Sequence, residues 1–194
     1  MDVAALLLAA GESTRMGSPK PLLEWHGATL IEWQIGELFA AGCGEVIAVL
    51  GHRAEEVRPF AERAGARVVV NAGYRAGRAG SIRTGALALP AAEAVVLLNV
   101  DQPRSRTITR RLLDEHFLQN NLISVPLHAG RHGHPAVLAG SLLPELQAVE
   151  EASEGLRAVM RRHQAERVDV PFDDPTVLLD LNLPGDYEAA RAGQ

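Results

Sequence analysis

The chain has 194 residues, 47% of them hydrophobic and 22% charged, a globular composition for one domain spanning 1–194. At this length about two-thirds of the unfolded surface can be buried without a disulfide or metal staple. A net charge of −5 argues against a broad nucleic-acid surface, the single cysteine excludes an internal disulfide, and no uncharged apolar run approaches the roughly 18 residues of a membrane span.

Val3 to Ala9 is continuously apolar, the pattern of a strand buried on both faces of a parallel sheet. Asp2 and the lack of a basic region before this strand-sized run argue against a signal peptide, so a cytoplasmic location is expected. Ile31, Ile35, Leu38 and Phe39 then share one helical face, with Gly42 as the stop. Cys43, set between Gly42 and Gly44, reads as structural rather than as a reactive thiol. A strand is predicted over 45–50, a helix over 54–64, a short strand over 67–70, a helix over 80–89 and a buried strand over 94–100. A helix begins at Thr107 and carries Ile108, Leu112 and Phe117. Past Leu122 the alternation loosens: strands are predicted at 122–126, 136–139, 167–171 and 177–180, helices near 141–149 and 154–163, and Pro184 suits the first turn of a terminal helix. Strands alternating with helices indicate an α/β fold with a mostly parallel sheet, whose ligand crevice lies at the carboxyl ends of the strands.

Residues 6–20, LLLAAGESTRMGSPK, carry the strongest chemical signal. An apolar strand stops at Gly11, and a small, hydroxyl-bearing loop follows with Arg15 and Lys20. Gly11 and Gly17 allow main-chain N–H groups to converge on a phosphate, and the two cations supply charge. Five residues separate the glycines and Ser18 follows the second, which excludes a Walker loop; Glu12, Ser13 and Thr14 occupy the wrong places for a dinucleotide fingerprint. Triphosphate binding is the expected chemistry.

Asp101 follows the strand VVLLNV directly and precedes Gln102 and Pro103, so its carboxylate is expected at the crevice as an anchor for Mg²⁺-nucleotide, or else as a turn cap. Near the C-terminus, LLDLNLPGDYE offers Asp180 and Asn182, which alternate along the predicted strand and so share a face. Asn71 ends a strand, and Gly77, Gly80 and Ser81 stand at a helix entrance whose exposed N–H groups can meet a base or phosphates, while Arg75, Arg78 and Arg83 belong either to the ligand or to solvent. His128, His132 and His134 fall in one loop, HAGRHGHP, without a cysteine or acidic fourth ligand, leaving open a metal site, a ligand contact or a plain loop.

The first loop resembles the signature of Rossmann-like nucleotidyltransferases, the superfamily that includes sugar-phosphate nucleotidyltransferases and the molybdenum-cofactor guanylyl- and cytidylyltransferases of the MobA-like NTP transferase family. Leu8, Ala9, Ala10, Gly11, Arg15, Met16, Gly17 and Lys20 match in order and spacing, and further matches run to the C-terminus. The resemblance implies a three-layer fold in which Leu8, Ala9, Ala10, Gly11, Asn71, Gly80 and Ser81 meet the nucleotide. It implies that Arg15 holds the triphosphate, that Lys20 meets the phosphates where bonds change, and that Asp101 is the principal Mg²⁺ ligand, helped by Asp180 or Asn182. Leu183, Pro184, Gly185 and Asp186 depart from the family's usual Thr-Pro-Glu-Asp closure. Gly133, His134 and Pro135 match a Gly-His-Pro element at the acceptor pocket, where Arg131 and the histidines would face a phosphate or pterin. Ala10, in place of the glycine usual in guanylyl-transferring relatives, points to CTP, and the implied acceptor is the phosphate of molybdopterin, with a client molybdoenzyme as a further partner. The rival expectations are a GTP-dependent guanylyltransferase, a sugar-phosphate nucleotidyltransferase, and a non-catalytic protein that holds a nucleotide-bearing cofactor.

Overall fold

The computed structural model describes residues 2–13 and 17–192. Strand β1 (Val3–Ala9) leads through the first loop to a two-strand hairpin, β2 (Glu24–Trp25) and β3 (Ala28–Thr29), and then to α1 (Leu30–Ala41). There follow β4 (Glu45–Leu50), α2 (Ala54–Arg63), β5 (Arg67–Val70), α3 (Arg78–Ala88), β6 (Ala94–Asn99) and α4 (Arg106–Leu118). The later part adds β7 (Ile123–His128), β8 (Arg131–His132), β9 (Ala136–Ala139), α5 (Leu143–Gln147), α6 (Leu156–Arg162), β10 (Arg167–Pro171) and α7 (Pro184–Ala192). Helix α1 starts where its sequence dictates: Thr29 accepts the N–H of Glu32 while the Glu32 carboxylate accepts the N–H of Thr29, and Gly42 closes the other end in the left-handed region.

The main sheet runs β10-β7-β9-β6-β1-β4-β5, with β8 paired to β7. Pairing is parallel except around β9, which lies antiparallel between β6 and β7, and at the β7–β8 hairpin. All seven residues of β1 are buried because the strand is covered on both sides. Val3, Ala5, Leu7 and Ala9 face a core built with α1, α2 and α4, against which Tyr187 and Ala190 of α7 also pack. Ala4, Leu6 and Leu8 face the other, built with α3, α5 and α6. The period of two along a strand thus assigns the two helical layers. No helix of the described residues is long and apolar enough to cross a membrane.

The predicted strand at 177–180 does not form. Pro175–Leu178 is instead a 3-10 turn, because the Asp174 carboxylate captures the Thr176 N–H at 2.8 Å and the Val177 carbonyl turns inward to the His134 N–H and to Arg104. Cys43 is 4% exposed and its thiol is pushed up to about 12 by burial, as a packing residue requires.

His116 of α4 is 3% exposed, with Nδ1 2.9 Å from the Ser124 hydroxyl, and burial holds its pKa down at about 4 from the ordinary 6.5. The unfolded chain therefore takes up a proton between those values that the folded chain refuses. Stability is full above pH 6.5 and falls by about 3 kcal/mol from this group as the pH drops towards 4. Thermal unfolding followed from pH 7 to pH 4 is expected to show this loss, with a shallower slope in His116→Leu.

Candidate active site

The carboxyl ends of β1 and β6 open into a cleft of about 420 Å³ lined by Leu8, Ala9, Ala10 and Gly11, by Ser13, Lys20 and Pro21, by Tyr74, Gly77, Arg78 and Ser81, and by Asn99, Val100, Asp101 and Asn182. Two parallel neighbours ending at the same level make this crevice. The first loop turns left-handed at Ser13 (φ 53°) and Gly17 (φ 69°) rather than at Gly11. The Ser13 hydroxyl accepts the Lys20 N–H at 3.0 Å, which ties the loop's two ends together. Arg15 lies outside the described residues.

Lys20 begins a short 3-10 turn and sends its ammonium across the cleft to Asp101 at 2.9 Å and to the Asn182 amide oxygen at 3.4 Å. Asp180 completes this group. Its carboxyl is raised above the ordinary range by burial and by the neighbouring Asp101 charge, against hydrogen bonds from Asn182 and Gln102 and the charge of Lys20. Asp180 and Asn182 do not sit on a strand; their extended segment is pinned beside β6 by one bond, from the Leu181 N–H to the Asp101 carbonyl at 2.8 Å. Two carboxylates and an amide oxygen, short of a closed cage, are the donor set suited to a divalent ion that takes its remaining ligands from phosphates and water. Arg78, exposed at the cleft mouth, is pushed below its ordinary value by desolvation and by Arg157, while Asp101, Asp180 and Glu151 pull the other way.

Asn71 and Gly80 do not line the cleft. The Asn71 amide donates to the Ser81 hydroxyl at 3.0 Å and its oxygen accepts the Gly73 N–H at 3.0 Å, so Asn71 orients Ser81 from behind. A Cβ on Gly80 would meet the same amide at 3.3 Å. The Gly-His-Pro element is held by packing: a Cβ on Gly133 would lie 2.2 Å from the Val177 carbonyl oxygen, so only glycine fits. Pro135 is buried beside it, and Arg131 is exposed on the β7–β8 hairpin, away from the cleft lining. His128 and His132 meet the Phe172 carbonyl and Asp169, both at 2.9 Å. His134 is the histidine near the cleft's charges. Burial first, then Arg104 and Arg78, hold it at about 4, so at neutral pH it is an uncharged imidazole.

Arg104 has no counterpart in the expectations from sequence. It is 1% exposed. Nε donates to the His134 carbonyl and Nη1 to the Pro103 carbonyl, both at 2.8 Å, and Nη2 donates to those of Val177 at 2.7 Å and Leu179 at 2.9 Å. Gln34 of α1 fastens the same loop from the other side, donating to the Gln102 carbonyl at 3.0 Å and accepting the Arg104 N–H at 3.1 Å.

A parallel sheet with a cationic loop and paired carboxylates meeting at adjacent strand ends is the layout of an enzyme handling metal-bound nucleotide. Residues 5–168 match the family described as the MobA-like NTP transferase domain. The chain is 33% identical over 169 residues to nicotine blue oxidoreductase of Paenarthrobacter nicotinovorans, covering 82% of each. It is 27% identical over 197 residues to molybdenum cofactor cytidylyltransferase of Escherichia coli K12, covering 97% of this chain and 95% of that one. The manganese complex of Rv0371C from Mycobacterium tuberculosis H37Rv superposes with a TM-score of 0.77 at 25% identity, covering 100% of both chains. The chain belongs to the MobA-like NTP transferase family, and by class it is a nucleotidyltransferase.

Arg104→Met removes a buried cation and the donors to the remote carbonyls of His134 and Leu179, leaving that of Val177 only the His134 N–H, so a loss of about 3 kcal/mol or more is expected in denaturant unfolding, and Arg104→Lys, whose single ammonium cannot span four acceptors, should recover little of it. Asp180→Asn has the opposite sign. A carboxyl with a raised folded pKa destabilises the fold once ionised, so at pH 7 the metal-free variant is expected to melt above the wild type.

Proposed function

We propose that the protein transfers CMP from CTP to the phosphate of a molybdopterin-type acceptor, releasing pyrophosphate, with Mg²⁺ as the metal. The observation that carries this reading is the 2.9 Å approach of Lys20 to Asp101 inside one cleft, a cation from the loop after β1 meeting a carboxylate from the end of β6. Family membership and the cytidylyltransferase relative support the reaction class and the acceptor.

Asp101 and Asp180, with Asn182, would hold Mg²⁺, which when bound supplies charge neutralisation of the triphosphate and polarises the α-phosphorus. The residues of the chain do the rest by position. An oxygen of the acceptor phosphate forms a bond to the α-phosphorus, the bond from that phosphorus to the bridging oxygen breaks, and the electron pair leaves on pyrophosphate. Lys20, drawn from its ion pair with Asp101, stabilises the charge that accumulates on the departing oxygens, and Arg15 serves the outer phosphates. The main chain of 8–11 and Ser81, oriented by Asn71, receive the nucleoside, and the methyl group of Ala10 in the lining favours a pyrimidine over a purine. The acceptor enters on the side of Arg78 and His134, with Gly133 and Pro135 shaping its wall. The reaction belongs in the cytoplasm, with a molybdoenzyme as client for the product.

A second reading follows from the 33% identity to nicotine blue oxidoreductase: the same cleft would reduce nicotine blue with two electrons and protons from an added hydride donor, which is oxidised in turn.

A screen of CTP, GTP, ATP and UTP against molybdopterin and sugar-phosphate acceptors, with and without Mg²⁺, tests the proposal. Pyrophosphate release is expected only with CTP, molybdopterin and Mg²⁺ together, and Lys20→Ala should lower turnover by about 10²-fold or more. Release with GTP or a sugar phosphate instead identifies those rival acceptors or donors. Binding of nucleotide without release in every arm identifies a non-catalytic holder, and turnover of nicotine blue with no release supports the second reading.

A further inference from the structure

The phosphate side of the cleft is marked by Asp101, just past the tip of β6, and by Lys20, which reaches it from the turn after the first loop. Its other side is closed by the turn after β5, and in the sheet order β6-β1-β4-β5 these two sides stand three strand spacings apart, about 14 Å. That span suits a nucleoside triphosphate lying across the strand tips, its phosphates at β6 and its base towards β5. The turn after β5 carries Tyr74, the only aromatic side chain among the described residues lining the cleft.

Tyr74 is held there by His52 and Arg75. Its hydroxyl stands 3.3 Å from His52 Nδ1, and the His52 N–H donates to the Ala10 carbonyl at 3.1 Å. The Arg75 guanidinium lies over the ring at 5.3 Å from its centroid and pairs with Glu12 of the first loop at 2.8 Å. A closed circuit therefore runs from Ala10 through His52, Tyr74 and Arg75 back to Glu12, two positions along the phosphate loop from where it began. Gly51 makes the circuit sterically possible: a Cβ there would lie 2.7 Å from both the Ala10 carbonyl oxygen and the Tyr74 Cβ.

We propose that Tyr74 is the wall against which the base of the nucleotide lies, a base-contacting residue whose position is fixed by His52 and Arg75. The proposal rests on the nucleotidyltransferase reading above. Aromatic walls suit a base because every base presents an apolar π-face, and a ring already immobilised loses little freedom on contact.

The test compares two probes that share phosphates and differ in the base, CTP and inorganic tripolyphosphate, by calorimetry with Mg²⁺ on the folded full chain. Tyr74→Leu is expected to weaken CTP about 10-fold or more and to leave tripolyphosphate unchanged, whereas Tyr74→Phe, which keeps the ring, stays within about 3-fold for both. Lys20→Ala should weaken both probes together. Equal loss of CTP and tripolyphosphate in Tyr74→Leu, or CTP binding as tight as in the wild type, overturns the assignment of Tyr74 while leaving the transferase reading intact. A wild-type chain that binds neither probe overturns that reading and the assignment with it.

Discussion

One buried guanidinium organises the half of the cleft that the first strands cannot build. Arg104 leaves water completely, a loss that no single partner offsets, and recovers it by donating to four carbonyls drawn from three separate stretches of chain. Those stretches are the loop after β6, the Gly-His-Pro element and the turn that follows β10. Because the donors of a guanidinium are fixed in one plane, the three stretches are fixed relative to one another, and with them Asp101, His134 and the segment bearing Asp180 and Asn182. Burial lowers the Arg104 pKa only to about 10, so the clamp keeps its charge throughout the neutral range.

On that frame the cleft is a charge balance waiting for a ligand. Lys20 answers Asp101, Asp180 repels it, and Arg78 faces both from the rim. Burial and the Asp101 charge raise the carboxyl of Asp180, so like charges are held close together at the metal-facing end of the group. The surrounding backbone is rigid by contrast: the strand tips are ladder-bonded on both sides, and the loops are fastened by Ser13, Gln34 and Arg104.

Much of this was legible in the sequence because it follows from local pattern. Continuous apolar runs marked β1 and β6 as buried strands, so Asp101, directly after the second, and Lys20, in the loop that follows the first, could be assigned to the crevice without coordinates. What could not be read depends on partners distant in sequence. Arg104 carries no local sign that its stem enters the core, since a charged residue before a helix is ordinarily solvated. The apolar stretch at 177–180 resembles a strand, yet its Val177 carbonyl is claimed by Arg104, so it coils. Asn71 was assigned to the ligand because it ends a strand, but its amide is spent on Ser81 and Gly73. Tyr74 and Arg131 exchange expectations for the same reason: a tyrosine in a turn gives no hint of facing a cleft, and an arginine in a histidine-rich loop suggests a binding role although the hairpin carries it outward.

The family match ends at residue 168, but two acceptors of the Arg104 clamp, the carbonyls of Val177 and Leu179, lie beyond it, as do Asp180 and Asn182. The stretch past β10 is therefore not a tail appended to a finished fold. It is the last wall of the cleft, and a piece cut at the family boundary would keep the tips of β1, β4, β5 and β6 yet expose an arginine that the core was shaped to hide.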